Sequence, residues 1–379
     1  MMKTTIIKLE NPPDKEAVRT IARLLEQGQI GAIPTETVYG LASRAFPDTV
    51  ARLDAVKGRT PNKRYTLHIG KKDELARYVP RVPPPMGKLA ERYWPGPITL
   101  IFELDQQSLQ IQKERFSEPV YDILYADGSI GLRCPALPIC SEILSSTFVP
   151  IVMPSANQSS FQPATSTREV LDYFDGKIDF IVDGGENVCQ YKKSSTVVKY
   201  GANGLEILRE GHFLKEEVEK NALFKMLFVC TGNTCRSPIA EALCKKILSE
   251  KLGCSIDSLK RFGYMVESAG VFAIEGLPAS KEADIVCREF GTSLQEHKSR
   301  PLTPQLLKNA DVIFVMDRSH LAAVNRMASE KVNVYLLGRD TEIPDPIGQD
   351  LGVYRSCAVQ IDQALRERIE SFYDCGRFE

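Results

Sequence analysis

The chain has 379 residues, 43 % hydrophobic and 26 % charged, and its 48 basic and 49 acidic side chains leave a net charge of −1 at pH 7. This length predicts two domains, and the balanced charge argues against broad electrostatic attraction to nucleic acid or membranes. Ten cysteines without a CxxC pair, four scattered histidines and no apolar run of membrane-span or signal-peptide length predict a cytoplasmic protein with free thiols, no metal site and no membrane contact.

Short apolar strands alternate with helical stretches in the first half of the chain. Apolar periodicity predicts helices over 16–27 and 50–56. Strands are predicted over 30–34, 65–70, 98–104, 129–133, 149–153, 178–182, 195–200 and 205–208. The proline-rich stretch 80–85 predicts a turn, and the polar stretch 105–127 predicts a long loop or an insertion. Many strands with few helices between them indicate a mixed α/β sheet.

A charged segment over 214–223 predicts a short helical linker between a domain of residues 1–213 and a domain of residues 224–379. Beyond it, strands are predicted over 225–230, 311–316 and 332–337, and helices over 238–252, 279–290, 303–309 and 352–374. This alternation predicts a parallel, doubly wound sheet, whose ligand binds beyond the carboxyl ends of the strands.

The eight residues Cys230–Ser237 (Cys-Thr-Gly-Asn-Thr-Cys-Arg-Ser) lie between an apolar strand and a predicted helix start, where backbone N–H groups form a phosphate cradle. Arg236 suits two phosphoryl oxygens because its guanidinium is a planar fork. We expect the positive field of this loop to lower the pKa of the Cys230 thiol. Ser237 is predicted to cap the helix. The other cradle residues are Thr231, Gly232, Asn233, Thr234 and Cys235.

Asp345 follows the third predicted strand of this half, on the edge of the sheet that carries the cradle. A carboxyl group kept protonated by apolar neighbours serves as a general acid and then as a base for water. A plain Asp-Pro turn is the alternative interpretation. The presence of the cradle favours the acid.

Residues 225–379 resemble the low-molecular-weight protein tyrosine phosphatases in the cradle, in a turn at 268–270 and in the acid loop at Asp345-Pro346. The resemblance implies a Rossmann-like, four-stranded parallel sheet with flanking helices, and no cofactor. It implies Cys230 as the nucleophile through a phosphocysteine intermediate, Arg236 as the transition-state clamp and Asp345 as the general acid.

The same resemblance assigns supporting roles within the cradle. It implies that Ser237 hydrogen-bonds the thiolate and that Asn233 holds the shape of the loop. It also implies that Cys235 forms a reversible disulfide with Cys230, which protects the nucleophile from over-oxidation.

Thr234 bears on the choice of substrate. Tyrosine-directed members of the family usually carry a larger aliphatic residue here, whereas members similar to bacterial protein-arginine phosphatases carry threonine. We therefore expect a phosphoprotein substrate, with phosphoarginine favoured over phosphotyrosine, because one hydroxyl shifts specificity strongly. A small phosphorylated metabolite stays open as a third substrate. Arsenate reduction is disfavoured because Cys287 stands alone where two further cysteines are needed.

In the first half, polar side chains follow several predicted strands and a helix. They are Thr35, Glu36, Thr37, Tyr39, Lys57, Arg59, Ser155 and Asn157. Two cations in Lys-x-Arg spacing and hydroxyls at strand ends suit a polyphosphate ligand, although Lys57-Gly58-Arg59 by itself is more often a solvated pair.

The assembled pattern resembles the YrdC-like threonylcarbamoyl-AMP synthases over about residues 10–213. The shared motifs are Pro34–Leu41, Lys57-Gly58-Arg59, Trp94–Pro97, Pro154–Asn157 and Ser195–Val198. The resemblance implies a twisted mixed α/β sheet, on which L-threonine, bicarbonate and ATP, with magnesium on its phosphates, become threonylcarbamoyl-AMP and pyrophosphate. A separate transferase then modifies tRNA, so tRNA is only an indirect partner.

The resemblance also implies two sets of binding residues. Threonine would contact Thr35, His68, Arg133 and Ser195. ATP would contact Lys57, Arg59, Ser129, Ser155, Asn157 and Arg209. Arg133 suits a carboxylate, and Lys57 and Arg59 suit the charge on the α-phosphate and the leaving pyrophosphate.

The chain departs from the family after Arg59. Lys63 stands where an ATP-contacting asparagine is common, and Arg64 replaces a proline. A second hypothesis therefore stays open, in which the N-terminal domain binds nucleotide or RNA without catalysis and is fused to a tyrosine-directed phosphatase. Pyrophosphate release that requires both threonine and bicarbonate distinguishes the two.

Overall fold

A computed structural model describes residues 3–10, 12–58, 64–125, 127–158 and 161–375, with the side chains of residues 374 and 375 left out. The chain forms two compact units. One contains the residues up to 221 except 83–85, and the other contains 83–85 and the residues from 222 onward. No helix in the described ranges has both the length and the apolar character that crossing a bilayer requires.

The N-terminal unit is built on a mixed sheet of ten strands within the described residues. The strands are β1 (Thr5–Lys8), β2 (Gly31–Pro34), β3 (Tyr39–Arg44), β4 (Thr66–His68), β5 (Ile98–Glu103), β6 (Ser129–Arg133), β7 (Ile151–Val152), β8 (Phe180–Asp183), β9 (Thr196–Gly201) and β10 (Gly204–Arg209). Their order across the sheet is β1-β8-β2-β3-β7-β4-β6-β5-β9-β10.

Helices connect these strands. They are α1 (Lys15–Glu26), α2 (Pro47–Lys57), α3 (Leu75–Tyr78), α4 (Pro84–Tyr93), α5 (Gln106–Arg115), α6 (Glu118–Tyr125), α7 (Pro138–Ser145), α8 (Thr167–Phe174) and α9 (Lys215–Ala222). Helix α1 shows why they form: the Asp14 carboxylate accepts from the backbone N–H groups of Glu16 and Ala17, and apolar residues three or four apart, among them Ile21 and Leu25, are buried.

The register of the sheet places polar residues from several strands at the same edge. Strands β4 and β6 are parallel, so their last residues, His68 and Arg133, are register partners. Strands β5 and β9 are also parallel, with Ile98 opposite Thr196. Strand β5 runs antiparallel to β6, so the start of β9 lies at the edge where β6 ends.

Two sequence-based expectations for this unit are wrong. The stretch 105–127, expected to be a loop, contains α5 and α6. The Asp105 side chain caps α5 by accepting from the Ser108 N–H at 2.7 Å, and the buried face of α5 carries the polar residues Ser108 and Gln112. No apolar stripe marks a helix whose buried face is polar. The expected turn at 80–85 is cut short because α4 begins at Pro84, a residue type well suited to a first helical turn.

The C-terminal unit contains a parallel sheet of four strands, β11 (Phe224–Cys230), β12 (Tyr264–Gly270), β13 (Val312–Val315) and β14 (Val334–Leu336), in the order β12-β11-β13-β14. Its helices are α10 (Arg236–Leu252), α11 (Lys281–Glu289), α12 (Pro304–Asn309), α13 (Arg318–Met327) and α14 (Leu351–Cys375). The predicted fold class, a mixed α/β domain followed by a doubly wound four-stranded parallel one, is confirmed.

Side chains alternate between the two faces of β11. Leu227 and Val229 pack with Ile313 and other apolar residues on one face, while Phe228 stacks on Phe314 at 5.6 Å on the other. The residues 268–270, expected to form a turn, are instead the end of β12. The strand was missed because Glu267 and Ser268 interrupt its apolar residues.

Candidate functional sites

Cys230 is the last residue of β11, and five loop residues separate it from the start of α10. Asn233 holds the shape of this loop. It has a left-handed backbone, with φ of 55°, and its buried amide nitrogen donates to the hydroxyls of Ser237 at 2.9 Å and Ser268 at 2.8 Å. Its amide oxygen accepts from the backbone N–H of Arg300 at 2.9 Å. The loop is therefore anchored to three neighbouring segments.

The Cys230 sulfur is 3 % exposed. It lies 2.9 Å from the Ser237 hydroxyl and accepts from the Asn233 backbone N–H at 3.3 Å. Burial raises the pKa of the Cys230 thiol, and the hydrogen bonds to Ser237 and Asn233 and the charge of Arg236 only partly oppose this effect. The expected net lowering of the pKa is wrong for this structure. Ser237, Asn233 and Arg236 therefore offset only part of the free-energy cost of burying the thiolate.

Arg236 begins α10 and is 4 % exposed. One guanidinium nitrogen, Nη1, donates to Asp317 at 3.0 Å and to the Ile343 carbonyl at 3.2 Å. The other, Nη2, donates to Asp345 at 2.6 Å and to the Thr231 hydroxyl at 3.3 Å. The structure thus brings Asp345 to the cradle. Its carboxylate faces a guanidinium rather than the apolar surroundings that the sequence analysis expected.

The remaining cradle residues differ in exposure. Thr231 is exposed, Gly232 and Thr234 are half-buried, and Cys235 is buried. Three hydroxyls surround the Cys235 sulfur, those of Tyr354 at 3.3 Å, Ser280 at 3.4 Å and Thr234 at 3.7 Å.

A cavity of about 620 Å³ lies in the N-terminal unit. Eight of the ten residues predicted to bind threonine or ATP line it: Thr35, His68, Arg133, Ser195, Lys57, Ser155, Asn157 and Arg209. Ser129 does not line it, and its hydroxyl donates to Asp127 at 2.8 Å. Arg59 lies outside the described residues, as does Lys63.

Arg133 forms a buried ion pair with Glu36 at 2.6 Å, and the two residues are 5 % and 4 % exposed. The same nitrogen, Nη2, donates to the Thr37 hydroxyl at 2.8 Å. Within the described part of the chain, the Arg133 Nε is buried and has no hydrogen-bond partner. A buried guanidinium whose Nε–H has no hydrogen-bond acceptor favours an anionic ligand in the cavity.

His68 lies beside Arg133 and is buried, with Nδ1 3.2 Å from the Thr66 carbonyl. Burial, together with the charge of Arg133, lowers the pKa of His68 from 6.5 to about 3. The imidazole is therefore neutral at physiological pH. It can present Nε2 to a ligand as an acceptor, because Nδ1 faces a carbonyl and carries the proton.

Two further cations line the cavity. Lys57, at the end of α2, donates to the carbonyls of Ser155 at 2.5 Å and Asn157 at 2.8 Å. Arg209 donates to the Ser195 carbonyl at 2.9 Å and to its hydroxyl at 3.2 Å. Two positive charges that line the same cavity suit a ligand with several phosphates.

Sequence reasoning missed several lining residues as site candidates, among them Thr99, Arg64, Thr66 and Ser194. The Thr99 hydroxyl lies 2.9 Å from that of Ser195, and a threonine within the apolar strand β5 was the available signal. Arg64 was noted only as a replacement for proline. It lines the cavity and pairs with Asp127 at 3.1 Å. No cluster of three His, Cys, Asp or Glu residues able to hold a metal occurs in the described ranges.

The low pKa of His68 predicts an acid-dependent loss of stability. Between pH 6.5 and about 3 the unfolded chain binds a proton on His68 that the folded chain excludes. The free energy of unfolding should therefore decrease as the pH falls through this window, by up to about 1.4 kcal/mol per pH unit from this group. His68→Gln should flatten the dependence relative to the wild type.

Urea unfolding at pH 7, 6 and 5, followed by the fluorescence of Trp94, measures this effect. Trp94 is the single tryptophan of the sequence and is 3 % exposed, so it reports on the N-terminal unit. If the free energy of unfolding falls equally steeply with decreasing pH in the wild type and in His68→Gln, the assignment of a neutral, buried His68 is wrong.

Each half of the chain matches a known protein family. Residues 23–211 match the Sua5/YciO/YrdC family model, described as telomere recombination, and residues 225–373 match the low molecular weight phosphotyrosine protein phosphatase model. The chain belongs to both families, one through each half, and the predicted fusion is confirmed.

The threonylcarbamoyl-AMP synthase of Pyrococcus abyssi is 32 % identical over 219 residues, which cover 57 % of this chain and 60 % of that protein. The chain therefore spans less than two thirds of the length of this relative. A crystal structure of P. abyssi Sua5 complexed with L-threonine is similar in fold, with a TM-score of 0.51 and 22 % identity, over 96 % of this chain and 98 % of that one.

The C-terminal half is equally similar to two kinds of phosphatase. It is 34 % identical to the protein-arginine-phosphatase of Bacillus subtilis over 148 residues, 38 % of this chain and 92 % of that protein. It is also 34 % identical to the low molecular weight protein-tyrosine-phosphatase Etp of Escherichia coli over 146 residues, 38 % of this chain and 90 % of that protein.

Proposed function

We propose that the N-terminal unit is a threonylcarbamoyl-AMP synthase, which converts L-threonine, bicarbonate and ATP into threonylcarbamoyl-AMP and pyrophosphate. The observation that carries this proposal is the cavity in which Arg133, His68, Lys57 and Arg209 meet. The product would reach tRNA through a separate transferase.

In this proposal the threonine carboxylate binds the buried Arg133 guanidinium, whose plane is set by Glu36. The hydroxyls of Thr35 and Ser195 and the neutral His68 hold the rest of the amino acid. Lys57, Arg209, Ser155 and Asn157 hold ATP, as would Arg59. Magnesium would bind through the phosphates and add positive charge there. Positioning does most of the catalysis, because no covalent intermediate with the protein is needed.

The test of this half is pyrophosphate release by the full chain with each substrate omitted in turn. We expect release only when threonine, bicarbonate and ATP are all present. Binding of ATP without such turnover would overturn the synthase proposal and support a non-catalytic nucleotide-binding unit.

We propose that the C-terminal unit is a protein phosphatase that acts through a phosphocysteine. When a phosphoryl group takes the place of Asp345 on Arg236, the freed carboxylate accepts a proton from solvent, and the Cys230 thiol loses its proton to solvent. The Cys230 thiolate then attacks phosphorus, the bond to the leaving group breaks, and Asp345 gives its proton to the leaving group. Water then attacks the phosphocysteine and passes a proton to Asp345, which releases phosphate and the thiolate. Arg236 and the cradle N–H groups stabilise the phosphoryl oxygens. The contacts of Cys230 with Ser237 and of Arg236 with Asp345 support this sequence.

We propose phosphoarginine as the preferred substrate. The supporting observation is Thr234, whose half-buried hydroxyl lies on the cradle beside Cys235. A hydroxyl suits the polar guanidinium of phosphoarginine, whereas the ring of phosphotyrosine packs better on an aliphatic side chain.

Thr234→Ile is therefore expected to reverse the preference. The ratio of kcat/KM for phosphoarginine to that for phosphotyrosine, measured in matched peptides, should exceed one in the wild type. It should fall by at least about tenfold in the variant, since one group that fits or fails to fit a pocket is worth about 1–3 kcal/mol. Thr234→Ser, which keeps the hydroxyl, is the matched control. A phosphotyrosine preference unchanged by either substitution would leave the tyrosine-directed assignment in place.

A further inference from the structure

Four side chains beside the cradle form a closed ring of contacts. Arg236 Nη2 donates to the Thr231 hydroxyl at 3.3 Å, and that hydroxyl lies 2.9 Å from His320 Nε2. His320 Nδ1 lies 2.9 Å from one carboxylate oxygen of Asp317. The other oxygen of Asp317 accepts from Arg236 Nη1 at 3.0 Å. The ring of contacts thus begins at Nη2 of the guanidinium and closes at Nη1.

The donors and acceptors in this ring determine where the protons lie. The Thr231 oxygen accepts from Arg236 and still has its own proton to donate. In the neutral imidazole the ring proton of His320 is on Nδ1, which faces the Asp317 carboxylate, so Nε2 accepts the Thr231 proton. The contact between Nδ1 and Asp317 is electrostatic rather than a well-aligned hydrogen bond. The same carboxylate oxygen also accepts from the His320 backbone N–H and the Ser319 hydroxyl.

The surroundings of His320 favour the neutral imidazole that the ring requires. The residue is 3 % exposed. Burial, followed by the charge of Arg236, lowers its pKa, and the carboxylates of Asp317, Asp345 and Glu342 oppose this without reversing it. Protonation would place a hydrogen between Nε2 and Thr231 and a second positive charge beside Arg236.

We propose that His320 is a positioning residue, which acts through Thr231 and Asp317 to hold the Arg236 guanidinium in the plane that a phosphoryl group needs. This inference rests on the proposed phosphatase function. Of the two groups on Nη2, Asp345 leaves to act as an acid when a phosphoryl group arrives, whereas Thr231 stays. The ring therefore keeps the guanidinium from rotating while it exchanges Asp345 for phosphoryl oxygens, which preserves the bidentate geometry.

A double-mutant cycle on the full chain tests the ring. The variants are His320→Ala, Thr231→Val and the double variant, with p-nitrophenyl phosphate as substrate and inorganic phosphate as competitive inhibitor. Each single change should lower kcat/KM by about 10- to 100-fold and weaken phosphate inhibition. The double variant should lie within about threefold of the worse single one, because either change opens the same ring. Asn325→Ala, on the exposed face of α13, is the control and should be unchanged.

His320→Gln supplies a second readout, and it keeps a side chain of similar size where His320→Ala leaves a cavity that can unfold the protein. Its amide oxygen can accept the Thr231 proton but cannot gain a charge. We expect activity near that of the wild type at neutral pH, and loss of the inflection that His320 protonation adds to the acid limb of the kcat/KM profile. Additive losses in the cycle, or an acid limb unchanged by His320→Gln, would overturn the proposal.

Failure of the phosphatase proposal gives a different result. In that case the wild type hydrolyses neither p-nitrophenyl phosphate, phosphoarginine nor phosphotyrosine. The ring is then judged by direct calorimetric binding of inorganic phosphate. The ring is supported if His320→Ala and Thr231→Val weaken phosphate binding equally and the double variant weakens it no further. Any other pattern overturns the proposal.

Discussion

Cys230→Ser is expected to lower phosphatase turnover by at least about 10⁴-fold, because a serine hydroxyl in this cradle lacks a base to remove its proton. The substitution changes one buried atom that already lies 2.9 Å from the Ser237 hydroxyl, so the fold should persist. Phosphate release from p-nitrophenyl phosphate and phosphoarginine measures the loss.

Cys254→Ser is the matched control. Cys254 follows α10, is only partly buried and lies outside the cradle, so its substitution should leave turnover unchanged. Pyrophosphate release by the N-terminal unit should persist in both variants. Retained phosphatase activity in Cys230→Ser would remove Cys230 from the mechanism, whereas loss of both activities would indicate an unfolded chain.

Arg133→Gln is expected to lower kcat/KM for threonine in pyrophosphate release by at least about 30-fold. Truncating one partner of a buried, hydrogen-bonded charge pair costs about 2–5 kcal/mol, and Arg133 is the buried cation next to Thr35 and His68. The loss should appear mainly in the KM for threonine, while ATP binding measured by calorimetry and phosphatase activity stay close to the wild type.

The Glu36 carboxylate complicates this variant, because Arg133→Gln leaves it buried without its charged partner. Glu36→Gln combined with Arg133→Gln removes both charges and keeps amide hydrogen bonds. Trp94 fluorescence then verifies that the unit is folded. Arg52→Gln, which disrupts a partly exposed ion pair with Asp179, is the matched control. An unchanged KM for threonine in the double variant would disprove the role of Arg133 as the carboxylate site.

The phosphatase cradle could be predicted from the sequence because it is local. Cys230 and Arg236 are six residues apart, and the strand, loop and helix that position them follow one another along the chain. The alternation of strands and helices likewise predicted the parallel sheet. Short-range geometry and periodicity thus sufficed for the class of both domains and for the loop that places Cys230 beside Arg236.

Elements without an apolar signature could not be predicted in this way. Helix α5 buries Ser108 and Gln112, and Gln112 donates to the Arg77 carbonyl at 3.1 Å. Such a partner lies 35 residues away in sequence. That contact satisfies the buried amide nitrogen of Gln112, and no local pattern in the sequence shows it.

The geometry of the cavity in the N-terminal unit and the protonation of its groups depend on the tertiary structure. The partners Glu36 and Arg133 are 97 residues apart, and Lys57 reaches the Ser155 carbonyl across 98 residues. Burial, which depends on the whole sheet, makes His68 neutral and raises the pKa of Cys230 against the expectation from the motif. The amino-acid sequence specifies which chemical groups the protein has and the consecutive strand, loop and helix that form the cradle. Their protonation and pairing were decided by folding, because desolvation and long-range contacts exist only in the folded chain.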